Sequence, residues 1–244
     1  MNKIRKITDL LVQIRTDNNL VKQDLERYVR LVNELKELLK DQEVLETLNK
    51  IEEVLVIVDV NNGFTIEGVF QNPYMEALIN PINQVAREFD EDPTKIVIAL
   101  NEGHHENSAE FKTFPEHCKK GTTEALYAEL LRWVVGRNPV FEKNTTMGCF
   151  APGYLDFFDL LPNLKKVVFA GGVTDICLFE AALTTKKYFD QNDRLIEVVV
   201  DRDLVDTYDA PWHNREEWNG MTEKFLNQAG IETVKQYVKK KEGF

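Results

Sequence analysis

The chain is poor in cysteine and has no long apolar run. Only three of its 244 residues are cysteines, widely spaced at Cys118, Cys149 and Cys177, which excludes the disulfide framework of small secreted domains. No segment approaches the roughly 18 consecutive apolar residues that cross a membrane, and the first residues interrupt their apolar positions with charges, unlike a secretory signal. We therefore expect a soluble, reduced, cytoplasmic protein with no membrane partner.

Basic residues are also scarce. Lys and Arg number 30 against 41 Asp and Glu, a net charge of −11, which argues against a broad phosphate-binding surface and so against a nucleic-acid partner. The glycine-rich motifs GxGxxG and GxxxxGKS/T are missing, so nothing supports dinucleotide or P-loop binding. Hydrophobic residues make up 43% of the chain, which is enough for one sizeable core.

Residues 1–52 contain neither glycine nor proline and space their apolar residues as a helix does. Asp17, Asn18 and Asn19 indicate a break between two helices, and Asp41 is suited to cap a third. We expect a helical N-terminal extension that buries its apolar stripes against the domain or a partner, with dimerisation or lid formation as its role. Coiled coil is a less favoured alternative, because no heptad pattern is sustained. The two stripes are Ile4, Ile7, Leu10, Leu11 and Ile14, then Leu25, Val29, Val32, Leu35 and Leu39.

From residue 53 to residue 244 the pattern changes to short β-branched runs that alternate with helical stretches. Continuous apolar strands separated by helices are typical of a parallel sheet covered on both faces. We therefore predict an α/β domain with a mostly parallel sheet of five or six strands and helices on both faces. The predicted strands are 54–60, 96–100, 140–141, 167–170, 195–200 and, more weakly, 233–234; the predicted helices are 75–89, 123–135, 176–189 and 218–229.

Polar residues follow the ends of these strands, where an open parallel sheet binds its ligands. The sharpest is Cys177, which opens a helix after a Gly-Gly turn. A helix N-terminus favours the thiolate, and the turn directs backbone N–H groups at a reacting carbonyl. The alternative is a small core residue, which is also our interpretation of Cys118 and Cys149.

Asp59 ends the first strand and Lys143 follows the third. Asp59 is suited either to cap a turn or to act as a general base. Lys143 is either a solvated surface lysine or a cation that lowers the pKa of the thiol and orients the acid.

A possible metal site follows the second strand. Glu102 and His104 are two residues apart, so they face the same way in an extended segment, and His117 returns after a short excursion. One carboxylate and two imidazoles suit Zn²⁺ first, with Fe²⁺ or Mn²⁺ as alternatives. The competing interpretation is two surface histidines and a solvated glutamate. His105 points the other way, and the sequence assigns no role to His213.

Five segments, in this order and spacing, resemble the isochorismatase-like cysteine hydrolases and, within them, the nicotinamidases. The resemblance extends from residue 54 to residue 234. The segments are VLVIVDVNNGF at 54–64, EGHHENSAEF at 102–111, FPEHCKKGT at 114–122, FEK at 141–143 and VVFAGGVTDICLFEAA at 167–182.

The resemblance implies a metal-assisted cysteine amidase that hydrolyses nicotinamide to nicotinate and ammonia in NAD salvage, a part of pyridine nucleotide biosynthesis. It implies a cis peptide before Val173 and an oxyanion hole made by the N–H groups of Val173 and Cys177. The other residues it implies are the catalytic triad Asp59, Lys143 and Cys177, the metal ligands Glu102, His104 and His117, and the ring-binding Phe64 and Phe114.

The sequence departs from the nicotinamidase pattern at several positions. Glu102 replaces the usual aspartate, Gly103 replaces an aromatic residue, and Phe114 stands where tryptophan is common. Two alternatives therefore stay open. One is a family amidase with a carbamoyl or ureido substrate, and the other is a non-catalytic scaffold that recruits partners through the helical extension. A small-molecule amide is the expected partner, and a homo-oligomer is compatible with the sequence.

Overall fold

The computed structural model describes residues 2–16 and 25–237. Within these residues, six strands form one parallel sheet in the order β3-β2-β1-β4-β5-β6. This confirms the predicted α/β fold, a parallel sheet with helices. The strands are β1 Glu53–Val58, β2 Lys95–Glu102, β3 Val140–Lys143, β4 Lys166–Gly172, β5 Glu197–Asp206 and β6 Glu232–Val234.

Two apolar layers cover the sheet. Alternate residues of β1 point to opposite faces, so Val54, Val56 and Val58 join one cluster, and Leu55 and Ile57 join the other. In the described part of the chain, no helix is long and apolar enough to cross a membrane. The helices are Asn2–Thr16, Leu25–Leu38, Gln42–Lys50, Asn62–Thr65, Pro73–Ala77, Ile79–Glu91, Arg132–Arg137, Tyr154–Asp159, Phe179–Gln191 and Arg215–Gln228.

The first N-terminal stripe packs partly into the main core, while its Leu10 and Ile14 pack against the second helix. Ile4 and Ile7 are buried in the same cluster as β1, and the Arg5 guanidinium donates to the carbonyl oxygens of Val135 and Asn138 at 2.7 and 2.6 Å. Asp41 caps the third helix as predicted, by accepting the backbone N–H groups of residues 43 and 44. The division into an extension, residues 1–52, and a domain, residues 53–244, stays a prediction.

The prediction for the second stripe is wrong in part. Leu25 and Val29 are exposed, because the helix turns Leu31, Leu35 and Leu38 towards the first helix instead. The break predicted at residues 17–19 lies outside the described residues.

The predicted helix at 123–135 is also wrong over its first half. Residues 123–128 pair with the loop after β1: Asn62 N–H donates to Leu126 O, and Gly63 N–H donates to Glu124 O. Backbone hydrogen bonds between these two segments replace the hydrogen bonds of a helix there, and a regular helix begins only at Arg132. The short helix Tyr154–Asp159 was not predicted. β1 ends at Val58 rather than Val60, and β5 begins at Glu197 after an exposed Leu195.

Candidate active site

The strand order reverses between β1 and β4, and parallel sheets of this kind bind ligands in the crevice at such a point. Asp59 follows β1 with a left-handed backbone (φ 50°), and Cys177 lies in the turn Thr174–Leu178 that follows β4. Glu102 and Lys143 end β2 and β3 and lie opposite each other in the strand register. Four candidate residues therefore meet at one sheet edge because of topology alone.

Asp59, Lys143 and Cys177 form a buried contact group. The Lys143 Nζ atom lies 2.8 Å from Asp59 Oδ2 and 3.7 Å from Cys177 Sγ. A carboxylate oxygen of Asp59 lies within 4.8 Å of Cys177 Sγ. The structure thus brings the predicted triad together, with the lysine in contact with both the acid and the nucleophile.

Burial dominates the electrostatics of this group. Desolvation raises the pKa of Asp59 to about 6 against the attraction of Lys143. Desolvation also raises the pKa of the Cys177 thiol, an effect that the Lys143 charge opposes. Burial of the turn therefore opposes the thiolate that a helix N-terminus favours. A base that takes the thiol proton overcomes this cost, and Asp59 is a carboxylate within 4.8 Å of the sulfur.

Lys143 keeps its charge in spite of burial. Desolvation on its own would lower its pKa, but the carboxylates of Asp59 and Glu102 and the Cys177 sulfur raise it well above the ordinary value. Glu102 Oε1 lies 3.0 Å from the Lys143 Nζ atom. The lysine therefore joins the triad to the predicted metal ligands.

Glu102, His104 and His117 converge on one point. His104 Nε2 and His117 Nε2 are 3.2 Å apart, and each lies 3.2 Å from one oxygen of the Glu102 carboxylate. All three residues are buried. They are therefore not the solvated surface residues of the competing interpretation.

Hydrogen bonds on the far side of each imidazole test whether this trio suits a cation. His117 Nδ1 donates to the Pro115 carbonyl at 2.8 Å. His104 Nδ1 lies 3.3 Å from Asn144 Oδ1, an atom identified as oxygen because it also accepts the backbone N–H of His105. With both Nδ1 atoms protonated, two Nε2 lone pairs and a carboxylate face one another. Lys143 donates to one oxygen of this carboxylate, but neither imidazole supplies a proton to the point where the three side chains meet. Two Nε2 atoms and a carboxylate are ligands that suit a divalent cation, so the residues, which we call the acceptor trio, fit the metal.

The turn that carries Cys177 requires glycine. A Cβ on Gly171, which has φ 101°, would lie 1.9 Å from the carbonyl oxygen of Val58, so only glycine lets β4 approach β1 here. The peptide bond between Gly172 and Val173 is cis, as the resemblance implies. Val173 and Cys177 both border the adjoining cavity.

This cavity has a volume of about 600 Å³ and is bordered by Glu102, His117 and Cys177. Five aromatic side chains, which we call the aromatic wall, also line it: Phe64, Phe70, Phe114, Tyr208 and Trp212. In the described part of the chain, neither lysine nor arginine lines it. The cavity thus places a thiol and two of the predicted metal ligands beside aromatic rings.

A third ring, Phe70, lies between the two predicted ring-binding residues, Phe64 and Phe114. Phe70 contacts both, with its ring centroid 6.4 Å from Phe64 and 6.2 Å from Phe114. The Phe70 ring also stands edge-on to His117 at 4.7 Å. Sequence reasoning missed Phe70, although it lies only six residues beyond Phe64 in the same segment.

Asn144 was missed as well. It directly follows Lys143 and orients His104. The sequence feature that could have predicted this role is a polar residue immediately after β3. His105 is exposed, as its position in the segment predicts, and Cys118 is buried in agreement with a core role. Cys149 is half-buried in the turn Gly148–Phe150.

The fold and this edge of the sheet define a class of protein. A family model described as the isochorismatase domain matches residues 53–233, so the chain belongs to the isochorismatase-like hydrolase family. A search of curated proteins gives no match.

Several solved structures are similar to this chain. N-carbamoylsarcosine amidase from Thermoplasma acidophilum is 24% identical with a TM-score of 0.61, covering 79% of this chain and 100% of its own. The zinc complex of a pyrazinamidase from Pyrococcus horikoshii is 22% identical with a TM-score of 0.61, covering 75% and 99%. PnC1 from L. infantum, in complex with nicotinate, is 21% identical with a TM-score of 0.63, covering 78% and 95%. At these identities the likeness establishes a shared fold.

Proposed function

We propose that the protein is a metal-assisted cysteine amidase that hydrolyses nicotinamide to nicotinate and ammonia, a step of NAD salvage. The observation that carries the proposal is the cavity, where Cys177, Glu102 and His117 border a space lined by aromatic rings, with His104 buried next to the last two. A planar, uncharged aromatic amide fits such a space. The similar pyrazinamidase and nicotinate complexes support the same substrate class.

The first half-reaction forms a thioester. Asp59 takes the proton of the Cys177 thiol, and the neighbouring Lys143 stabilises the carboxylate before this transfer and the thiolate after it. The sulfur attacks the amide carbon, while the N–H groups of Val173 and Cys177 hold the oxyanion. Asp59 then returns the proton to the nitrogen as the C–N bond breaks, and ammonia leaves.

The second half-reaction releases the acid. Asp59 accepts a proton from water, whose oxygen attacks the thioester carbon, and the C–S bond breaks as Cys177 regains its proton. Glu102, His104 and His117 would hold the metal, for which we propose zinc because two imidazoles and a carboxylate suit it. When bound, the metal supplies a Lewis acid for the ring nitrogen of the substrate. Phe64, Phe70 and Phe114 orient the ring.

The charge of the cavity favours nicotinamide over a carbamoyl amino acid. Carbamoyl substrates such as N-carbamoylsarcosine carry a carboxylate, which needs a cation when it is buried. No lysine or arginine lines the cavity in the described residues, whereas Glu102 and Asp209 do. An uncharged amide avoids that mismatch.

Ammonia release tests the proposal. Nicotinamide and N-carbamoylsarcosine are each supplied to the wild type and to Cys177→Ala, before and after chelator treatment and zinc restoration. We expect turnover of nicotinamide alone, lost in the variant, lost with the chelator and regained with zinc. Turnover of N-carbamoylsarcosine alone, or none from zinc-loaded wild type, would contradict nicotinamide as the substrate.

A further inference from the structure

The loop from β5 to the helix Arg215–Gln228 supplies one side of the cavity. Tyr208, Asp209 and Trp212 of this loop border the space next to Cys177, and Trp212 is 81% exposed at the tip of a turn closed between Ala210 and His213. A loop that presents a large exposed ring to a substrate needs an anchor, because little else buries it.

His213 provides that anchor from beneath the turn. Its side chain is 4% exposed, with Nε2 2.9 Å from Asp175 Oδ2 and Nδ1 3.0 Å from the Tyr208 carbonyl oxygen. Each ring nitrogen therefore lies at hydrogen-bond distance from an oxygen, one on either side of the ring. Both His213 and Asp175 are almost fully enclosed.

Two aromatic rings enclose the same imidazole. The Tyr208 ring stacks on it at 3.8 Å with an interplanar angle of 15°, and the Trp218 ring stacks on it at 4.8 Å and 5°. Stacked rings stabilise one another beyond the area that they bury. Tyr208, which also borders the cavity, is thereby held in place by stacking as well as through its carbonyl.

Asp175 connects this anchor to the nucleophile. It lies two residues before Cys177 in the turn Thr174–Leu178, and its other carboxylate oxygen accepts the hydroxyl of Thr207. The turn also has backbone bonds of its own, from the N–H groups of Ile176 and Leu178 to Val173 O. Loss of His213 therefore frees the loop more than it disturbs the nucleophile.

We propose that His213 is a positioning residue that fixes Tyr208 and Trp212 against the turn of Cys177 and so sets the affinity for the aromatic ring of the substrate. It acts through Asp175 and does not touch the reacting atoms. This inference rests on the proposed amidase function for its substrate, but the arrangement of the loop does not depend on which amide is cleaved.

Steady-state kinetics of His213→Ala and His213→Gln with nicotinamide test the inference. In His213→Ala we expect KM to rise about tenfold, the size expected for losing a hydrogen bond to a charged group, with kcat changed by less than about threefold. His213→Gln keeps one donor for Asp175 and should recover part of the affinity. An unchanged KM, or a fall in kcat as large as the rise in KM, would overturn the proposal.

A double-mutant cycle with Asp175→Asn identifies the partner. If His213 acts through Asp175, the effects of His213→Ala and Asp175→Asn on KM are non-additive, whereas additive effects would refute the coupling. Thermal unfolding confirms that each variant is folded. If His213→Ala does not fold, the Gln variant alone decides, because its KM must still exceed that of the wild type.

Labelling of Cys177 separates this inference from the proposed function, since it needs no turnover. The wild type and His213→Ala are treated with iodoacetamide and with a pyridyl chloroacetamide, and modification of Cys177 is followed by mass spectrometry. We expect the preference for the pyridyl reagent to fall about tenfold in the variant, with the iodoacetamide rate nearly unchanged. Equal changes for both reagents would contradict the proposal, even if nicotinamide proves not to be the substrate.

Discussion

The two sides of the cavity are built by opposite means. On one side the charged cluster, Asp59, Glu102, His104, His117 and Lys143, is buried at the ends of neighbouring strands and held by contacts near 3 Å. On the other side the aromatic wall comes largely from loops, and Trp212 is mostly exposed. Charges need a rigid frame because each lost partner leaves a buried charge uncompensated, whereas rings tolerate some displacement. Changes on the charged side should therefore act on the chemical step, and changes in the wall on affinity.

The largest effect is expected at the nucleophile between the two sides. Cys177→Ala should lower kcat on the order of 10⁴-fold or more, the scale at which triads lose activity without their nucleophile, as measured by ammonia release. Cys149→Ala serves as the matched control, because that cysteine lies outside the cavity. Equal losses in both variants would refute the assignment of Cys177.

The second prediction concerns how activity depends on pH, which the general base Asp59 should determine. Asp59 must be ionised to take a proton, and burial raises its pKa to about 6. Activity should therefore be present above that pH and fall about tenfold per pH unit below it, as measured from kcat/KM between pH 4 and 8. Asp59→Asn should remove the activity across the whole range. A flat profile down to pH 4 would contradict the role of Asp59.

The metal ligands predict a smaller effect. Glu102→Gln removes the charge of the acceptor trio, and we expect zinc affinity to fall about 10- to 100-fold, as measured by competition with a chromogenic chelator. Glu106→Gln is the control, because that residue is exposed and pairs with Lys119. Zinc affinity unchanged by Glu102→Gln would show that the trio is not the metal site.

The aromatic wall predicts the smallest effect on rate. Phe70→Ala should raise KM for nicotinamide about tenfold while kcat changes by less than about threefold. Phe150→Ala, which removes an exposed ring away from the cavity, should leave both constants unchanged. A large loss of kcat in Phe70→Ala would contradict the division between the two sides of the cavity, because the aromatic wall would then take part in the chemical step.

The N-terminal helices show which structural features a local sequence pattern can predict. Spacing alone predicts the helices and the Asp41 cap, since both depend on neighbours within a turn or two. It does not predict that Leu25 and Val29 remain exposed while Leu31 is buried, because two apolar faces of one helix compete and only the neighbouring helix decides between them. The helix predicted over residues 123–128 is wrong for the same reason, since the backbone of these residues bonds to the loop after β1.

The sequence by itself determined the strands, their parallel pairing and the residues that follow each strand, because apolar runs and glycine turns act locally. From these alone, Asp59, Glu102, Lys143 and Cys177 can be predicted to meet at one edge. Only the tertiary structure decided that the turn of Cys177 is buried, so that desolvation raises the pKa of the thiol. Only the tertiary structure also placed Phe70 against His117 and His213 beneath the loop. Desolvation and ring packing depend on residues that are far apart in the chain, so a local sequence pattern does not predict them.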